Sequence, residues 1–370
     1  MIKVLHVYKS YFPVIGGIAS HLKVLCLELA KDKNIDVQIL VTNQNRNTVK
    51  EMDQHVRVIK VGKIFEFAST PISLSMPYWM KRLNPDLIHL HFPYPIGELS
   101  ALFVNSNRKI VLTYHSEIVK QRALLICYQP FLRRILDRVD VIIASSPNYV
   151  ATSNCLIGLK HKIKVIPYGI DLSRFEKKDE NRIKSIKAQY KSPLVLFVGM
   201  FRYYKGLEVL IEAAKRVEGS FLLIGKGKYR SKLESQVKKG NLIDKIFFLE
   251  EVEDDQLPAF YHASDIFVLP STHRSEAFGI VQLEAMACGL PVISTELGTG
   301  TTFVNIHQQT GLVVPPRDPQ ALANALNILL ANKNLREQLS LTGKQRVSKE
   351  FSKELMTERI KKVYYELLNK

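Results

Sequence analysis

The sequence predicts an α/β protein made of two doubly wound parallel sheets in tandem, facing a central cleft. Two observations carry this expectation. Short β-branched runs alternate with helix-length segments along the chain, the pattern of right-handed βαβ units covered on both faces. At 370 residues, with 46% apolar and 24% charged residues, the chain is also long enough for two domains with separate cores.

In the first half, strands are expected at Val4–Tyr8, Val37–Val41, Leu87–Leu90, Ile110–Tyr114 and Val141–Ala144. A helix over Ile18–Ala30 follows the first strand and aligns Ile18, Leu22, Leu25 and Leu29 on one face. The second half repeats the scheme with strands at Leu194–Gly199, Phe221–Gly225, Ile246–Leu249, Ile266–Leu269, Pro291–Ser294 and Gly311–Val314. Helices are expected there near 206–217, 229–239, 255–263 and 278–288.

The halves meet near Val165-Ile166-Pro167-Tyr168-Gly169-Ile170-Asp171, ahead of a lysine-rich stretch from Lys177 to Lys191. This places one domain at 1–168 and the other at 169–350. A terminal helix from Glu350 to Leu368, with apolar Phe351, Leu355, Ile360, Tyr364 and Leu367, is expected to return to the first domain, which would then include about 351–370.

Composition narrows the function. The cysteines Cys26, Cys127, Cys155 and Cys288 have neither C-x-x-C nor metal-ligand spacing, which fits a reducing, cytoplasmic setting. The N-terminus reads directly as a strand, so no signal peptide is expected. No apolar run reaches the ~18 to 20 residues that a spanning helix requires. Net charge is +17, and residues 1–170 carry 22 Lys and Arg against 11 Asp and Glu. A phosphorylated ligand or an anionic membrane surface suits that field. Nucleic acid is not expected, because no binding module is present and the basic residues are dispersed.

Several loops that follow strands carry chemistry. Gly16-Gly17 precedes the first long helix, where glycines let a ligand approach the backbone and the helix start favours negative charge, although a tight turn would use them equally well. Thr113-Tyr114-His115-Ser116 ends another strand, placing His115 either toward a ligand or in a structural hydrogen bond. His89 and His91 share one face of a strand, which suits a metal, but no third matching ligand lies nearby in sequence. Glu117–Asp140 mixes Ile118, Leu124, Leu125, Ile126, Phe131, Leu132, Ile135 and Leu136 with Lys120, Arg122, Arg133, Arg134 and Arg138, a pattern open to both a membrane-surface helix and a core helix broken at Pro130.

In the second half, Arg202 and Lys205 sit three residues apart before a helix. Two cations there oppose the helix dipole by ~0.3 to 1 kcal/mol each unless an anion lies between them. A diphosphate would resolve that conflict. Glu253-Asp254-Asp255 reads as a helix cap rather than a metal cluster, and with no Asp-x-Asp motif no metal site is expected. Glu276 and Glu284 bracket a helix start opened by Phe278 or Gly279, with Glu276 in the preceding loop and Glu284 about two turns inside. On their own the two glutamates read as solvated residues of an amphipathic helix rather than as a site, and the surrounding motifs must decide.

Taken together, the Gly16-Gly17 loop, His115, Arg202-x-x-Lys205-Gly206 and Glu276-x7-Glu284 resemble the retaining glycosyltransferases of family 4, which have the GT-B fold. The match covers nearly the whole chain. The segments 297–305 and 310–319 look most like the bacterial branch that assembles O-antigen and related surface polysaccharides, many of whose members use GDP-mannose.

The resemblance implies that Arg202 and Lys205 hold the donor diphosphate, that Glu284 binds the ribose and that Glu276 contacts the donor sugar. Phe278, Gly279 and Ile280 would supply backbone N–H groups, His115 would bind the transferring sugar, and Gly16 and Gly17 would flank the diphosphate. It further implies a hexosyl transfer, with mannose as the sugar, from a nucleoside-diphosphate sugar to a glycan or lipid-linked acceptor. No cofactor or metal is expected, and peripheral contact with the cytoplasmic face of an anionic membrane is. Lys226-Gly227-Lys228 departs from the acidic residue and proline more usual there, leaving base selectivity open. A nucleotide-sugar epimerase of similar fold and a non-catalytic basic membrane- or polymer-binding protein are the alternatives.

Overall fold

A computed structural model describes residues 1–14, 16–105, 107–118, 122–250 and 252–369, with 122–127 described in backbone only. The chain divides into two compact units, Met1–Gly169 with Lys353–Lys370, and Ile170–Ser352.

The strands of the first unit are β1 (Ile2–Val7), β2 (Ile35–Thr42), β3 (Val49–Asp53), β4 (Val56–Val61), β5 (Phe65–Phe67), β6 (Thr70–Ile72), β7 (Leu87–Phe92), β8 (Lys109–Tyr114), β9 (Val141–Ala144) and β10 (Ile163–Val165). Eight of them form one sheet in the order β10-β9-β8-β7-β1-β2-β4-β3, and β5 and β6 form a separate hairpin. All pairings in the large sheet are parallel except that of β3 with β4. β1 lies between β7 and β2, so the winding reverses beside it, where doubly wound folds open a crevice at the carboxyl ends of their strands. The sequence pattern missed β3 because this edge strand buries none of its residues and so carries no apolar period.

Register aligns a polar layer on one face of this sheet. His6 pairs with His89, and His91 with Thr113. Because side chains alternate with period two, His6, His89, His91 and Thr113 all project to the same side. The helices Gly17–Leu29 and Lys353–Leu368 contribute His21 and Tyr364 against that layer.

The terminal helix begins at Lys353 rather than Glu350. Helix Lys333–Glu350 ends first, and Phe351 is buried with its ring beside Phe278 and Phe303. From Lys353 onward, Met356, Ile360, Val363 and Tyr364 form the buried stripe, and the Lys361 ammonium meets Asp32 at 2.8 Å.

Helix Arg122–Arg138 contains Pro130. Leu132, Ile135 and Leu136 are buried in the unit, whereas Phe131, Arg133 and Arg134 are exposed, so this part of the segment behaves as a core helix with a basic edge. Lys120 and the side chains of Arg122, Leu124, Leu125 and Ile126 lie outside the described residues. Among the described residues, no helix is long and apolar enough to cross a membrane.

The second unit holds β11 (Leu194–Val198), β12 (Ser220–Ile224), β13 (Ile246–Leu249), β14 (Ile266–Leu269), β15 (Val292–Thr295) and β16 (Gly311–Val314). They form an all-parallel sheet in the order β13-β12-β11-β14-β15-β16. This is the dinucleotide-fold order, with its switch point between β11 and β14. Helices Leu207–Ala214, Arg230–Lys239, Leu257–Ala263 and Val281–Ala287 follow β11, β12, β13 and β14. The Glu253-Asp254-Asp255 run does not cap its helix. The N-cap residue is Gln256, without a side-chain cap bond, and Asp254 lies 3.4 Å from the Arg174 guanidinium.

Candidate functional site

In the second unit, the loops leaving β11 and β14 meet at the switch point. The first carries Arg202 and the one-turn 3-10 segment Tyr203–Lys205, and the second runs from Pro270 to Ile280. Lys205 Nζ donates to Glu276 Oε2 at 2.6 Å, and Ser271 Oγ donates to the same oxygen at 2.9 Å. Thr299 Oγ1 fixes the Glu276 carbonyl at 2.8 Å, and the Thr272 N–H binds the Tyr204 carbonyl at 2.7 Å, tying the two loops together.

Lys205 and Glu276 are only 8% and 7% exposed. Burial by itself would lower the Lys205 ammonium, but the facing Glu276 carboxylate and the Tyr204 phenol together outweigh it, and its pKa stands above the ordinary lysine value. The conflict of two cations before a helix is therefore half resolved within the chain, because Glu276 is the counter-charge of Lys205. Arg202 differs in being exposed, with its guanidinium 3.4 Å from Met200 Sδ. A buried cation held charged, following an exposed guanidinium in sequence at a strand end, is suited to an anionic ligand.

The helix that follows corrects the expected geometry. It spans Val281–Ala287 with Ile280 as N-cap, and Glu284 belongs to its first turn instead of lying two turns inside. Gly279 takes φ +77°, a left-handed conformation that cannot begin a helix, so Phe278 and Gly279 remain in the loop. The Gly300 N–H holds that loop through the Ala277 carbonyl at 2.7 Å, and Phe278 is buried. Glu284 Oε2 accepts from the Tyr261 hydroxyl at 2.7 Å, and burial raises its carboxyl above the usual range against the pull of that bond.

In the first unit the polar layer closes into a chain of hydrogen bonds. Tyr168 OH meets His115 Nδ1 at 2.6 Å, His115 Nε2 meets His91 Nδ1 at 2.8 Å, and His91 Nε2 meets His6 Nδ1 at 3.0 Å. His6 Nε2 lies 3.4 Å from Tyr364 OH, which is 2.5 Å from His89 Nδ1, while His89 Nε2 is 2.6 Å from Thr113 Oγ1. A neutral imidazole has one N–H and one lone pair, so the links can be satisfied in either direction with every ring uncharged. Burial favours that state. His6 and His21 are lowered to about 3, and His89, His91 and His115 lie well below the ordinary value, through burial first and then, for all but His21, repulsion from neighbouring imidazoles.

His21 stands apart. It is 4% exposed, with its ring 5.3 Å from that of His115 and 6.1 Å from that of His91, yet neither nitrogen has a hydrogen-bond partner among the described residues. Such a vacancy ordinarily costs ~1 to 3 kcal/mol.

The structure thus joins Lys205 to Glu276 and places Arg202, Phe278, Gly279, Ile280 and Glu284 around the same unit's strand ends. It places His115 inside the histidine layer with both ring nitrogens engaged. Gly16 and Gly17 open the helix Gly17–Leu29, and a Cβ built on either meets nothing within 4 Å. The chain's own packing therefore does not demand glycine there. Sequence reasoning missed His6, His21, Tyr168 and Tyr364. His6, at the same depth of its strand as His89, was the available signal.

Two doubly wound units, each with polar side chains gathered where its sheet reverses, define the GT-B class of α/β proteins. Residues 178–346 match the family described as Glycosyl transferases group 1, and residues 15–174 match Glycosyltransferase Family 4. The chain is 35% identical over 369 residues to the O-antigen chain mannosyltransferase C of Escherichia coli, covering 99% of each chain. It is 36% identical over 354 residues to the D-rhamnosyltransferase WbpZ of Pseudomonas aeruginosa, covering 95% of this chain and 92% of that one. The sucrose-phosphate synthase of Thermosynechococcus elongatus shares the fold, with a TM-score of 0.83, 24% identity and full coverage of both chains. The protein belongs to the group 1 glycosyltransferase family and is a glycosyltransferase.

Proposed function

We propose that the protein transfers a manno-configured hexose, mannose itself as the first choice, from a nucleoside-diphosphate sugar such as GDP-mannose to a growing bacterial surface glycan on a lipid carrier, with retention at the anomeric carbon. The observation that carries this reading is the buried Lys205–Glu276 pair at the switch point of the second unit, beside the exposed Arg202. The relatives named for mannosyl and D-rhamnosyl transfer support the sugar, since the two hexoses differ only at C6.

In this reading Lys205 and Arg202 face the departing diphosphate and stabilise its growing charge, which is the dominant catalytic contribution. Glu276, fixed by Lys205 and Ser271, orients that ammonium and turns toward the sugar. Glu284 binds the ribose, and the backbone N–H groups of Phe278, Gly279 and Ile280 serve sugar or phosphate. Gly16 and Gly17 leave room for the phosphate. The sugar-binding role implied for His115 is not carried forward, because its ring is buried within the histidine layer of the first unit. With cationic side chains on the leaving group, transfer is expected not to depend on added Mg2+ or Mn2+.

Incubation with GDP-mannose and a lipid-linked oligosaccharide should yield an extended product whose new linkage keeps the donor's anomeric configuration. Transfer from UDP-sugars alone, or inversion, would reject the donor or the stereochemistry respectively.

Attachment to the cytoplasmic face of an anionic membrane is part of the same proposal. On the first unit the hairpin of β5 and β6 leaves Phe65 and Phe67 54% and 58% exposed, and Ile64, Leu74 and Tyr78 are exposed as well. The unit's basic surplus complements acidic lipid. Flotation with phosphatidylglycerol vesicles should be salt-sensitive and should weaken in Phe65→Ser/Phe67→Ser. Binding that ignores both salt and the double variant would remove this surface from the reading.

A further inference from the structure

We propose that the first unit contains a binding site for one divalent late transition-metal ion, zinc in the first instance, formed by His21, His91 and His115. Ligand atoms of these three buried residues lie within 4.8 Å of one another. His21 comes from the helix Gly17–Leu29, His91 from β7, and His115 from the position directly after β8, so three separate elements converge on one point.

Two observations distinguish this site from a plain hydrogen-bond network. The first is His21, whose nitrogens have no partner among the described residues although it stands against the other two rings. The chain of bonds from Tyr168 to Thr113 accounts for His6, His89, His91 and His115 and leaves His21 out, so hydrogen bonding does not explain why an imidazole is buried there. The second is the outer contact of each remaining ring. His91 Nδ1 and His115 Nε2 face each other at 2.8 Å, while His91 Nε2 is held by His6 and His115 Nδ1 by the Tyr168 hydroxyl. Metal-bound histidines are characteristically oriented in this way, by a hydrogen bond to the nitrogen that does not ligate.

The other histidine group within ligand distance, His6, His89 and His91, has no unpartnered ring to set beside His21, because all three are bonded within the chain. An all-imidazole donor set suits Zn2+, Co2+, Ni2+ or Cu2+ and excludes Mg2+ and Ca2+, which take oxygen ligands. Metal–nitrogen bonds of ~2.0 to 2.1 Å in a tetrahedron set the nitrogens about 3.3 Å apart. The His91 and His115 rings therefore separate slightly, His21 closes in, and a water completes the coordination. The ion would tie the start of the helix that bears Gly16-Gly17 to the ends of β7 and β8. This inference does not rest on the proposed donor or acceptor.

The full-length protein, stripped with a chelator and dialysed, would be titrated with ZnCl2 by calorimetry and with CoCl2 by visible absorption. One equivalent of zinc should bind and raise the melting temperature, and Co2+ should give the intense bands of a tetrahedral nitrogen site. His21→Leu should weaken zinc binding at least a hundredfold while circular dichroism stays native, and His21→Gln serves if the leucine variant does not fold. Absence of one-equivalent binding in the parent protein, or equal binding in the parent and the His21 variants, would overturn the site and leave a water molecule as the occupant. Glycosyl transfer by a metal-free protein would not bear on this outcome.

Discussion

Lys205 and Glu276, 71 residues apart in sequence, meet at 2.6 Å from loops on either side of the β11–β14 switch point, nearly out of solvent. Breaking such a pair from one side leaves an uncompensated buried charge, at a cost of ~3 to 5 kcal/mol. Lys205→Met should therefore lose both stability and transfer. Lys205→Met/Glu276→Gln removes both charges and should regain most of the stability, measured by urea unfolding, while transfer stays at least a thousandfold down. Recovery of turnover in the double variant would make the pair a structural bond and remove it from catalysis.

Gly17 offers a second separation of folding from function. With open space where a Cβ would go, and a place in the helix Gly17–Leu29, alanine should be accepted at this position. Gly17→Ala is expected to stabilise the protein by ~0.4 to 1 kcal/mol through the unfolded chain. Transfer should fall tenfold or more, because the added methyl occupies the space assigned to the ligand. A stabilised variant with unchanged KM and kcat would mean that nothing approaches this backbone.

What the sequence made legible, and what it did not, follows from the range of each signal. The strand ends near Gly16, His115, Arg202 and Glu276 could be found because turn residues and apolar runs are local, and a parallel α/β sheet brings the carboxyl ends of its strands together. Partnership was not legible. Nothing near Lys205 announces Glu276, so its charge looked unsatisfied until the loops were seen to meet. The histidine layer was hidden for the same reason, since His6, His21, His89, His91, His115 and Tyr364 come from five separate segments. The start of the helix at Val281 was misplaced because Gly279 takes a left-handed φ in a loop whose Ala277 carbonyl is held by the distant Gly300 N–H, and no local pattern encodes that contact.

Glu98 predicts a pH dependence. It is 1% exposed, and burial raises its carboxyl to about 7, against the pull of hydrogen bonds from the Tyr128 hydroxyl and the Tyr94 N–H. In the unfolded chain the same group titrates at its ordinary value of 4.5. Between these values the folded state holds the extra proton, so this residue's contribution to stability is intact below pH 4.5 and is lost as pH rises through 7. Glu98→Gln, which cannot ionise, should match the parent near pH 4.5 and exceed it by about 3 kcal/mol at pH 8. Thermal melts of both proteins across that range would test this, and a constant difference would show that Glu98 does not change charge there.

The terminal helix Lys353–Leu368 belongs to the first unit, and two kinds of contact could hold it there. The Lys361–Asp32 pair, at 2.8 Å, is partly solvated, and pairs of that kind contribute ~0 to 1 kcal/mol. Tyr364 is fully buried and its hydroxyl serves His89 and His6, so losing it strands two buried imidazole nitrogens at ~1 to 3 kcal/mol. Tyr364→Phe should therefore destabilise the protein more than Lys361→Ala does, and high salt should reduce only the effect of the lysine substitution. Hydrogen exchange should open the helix Lys353–Leu368 and β1 together in Tyr364→Phe, because the tyrosine links the two through His6. Faster exchange confined to the helix would show that the histidine layer stands without it.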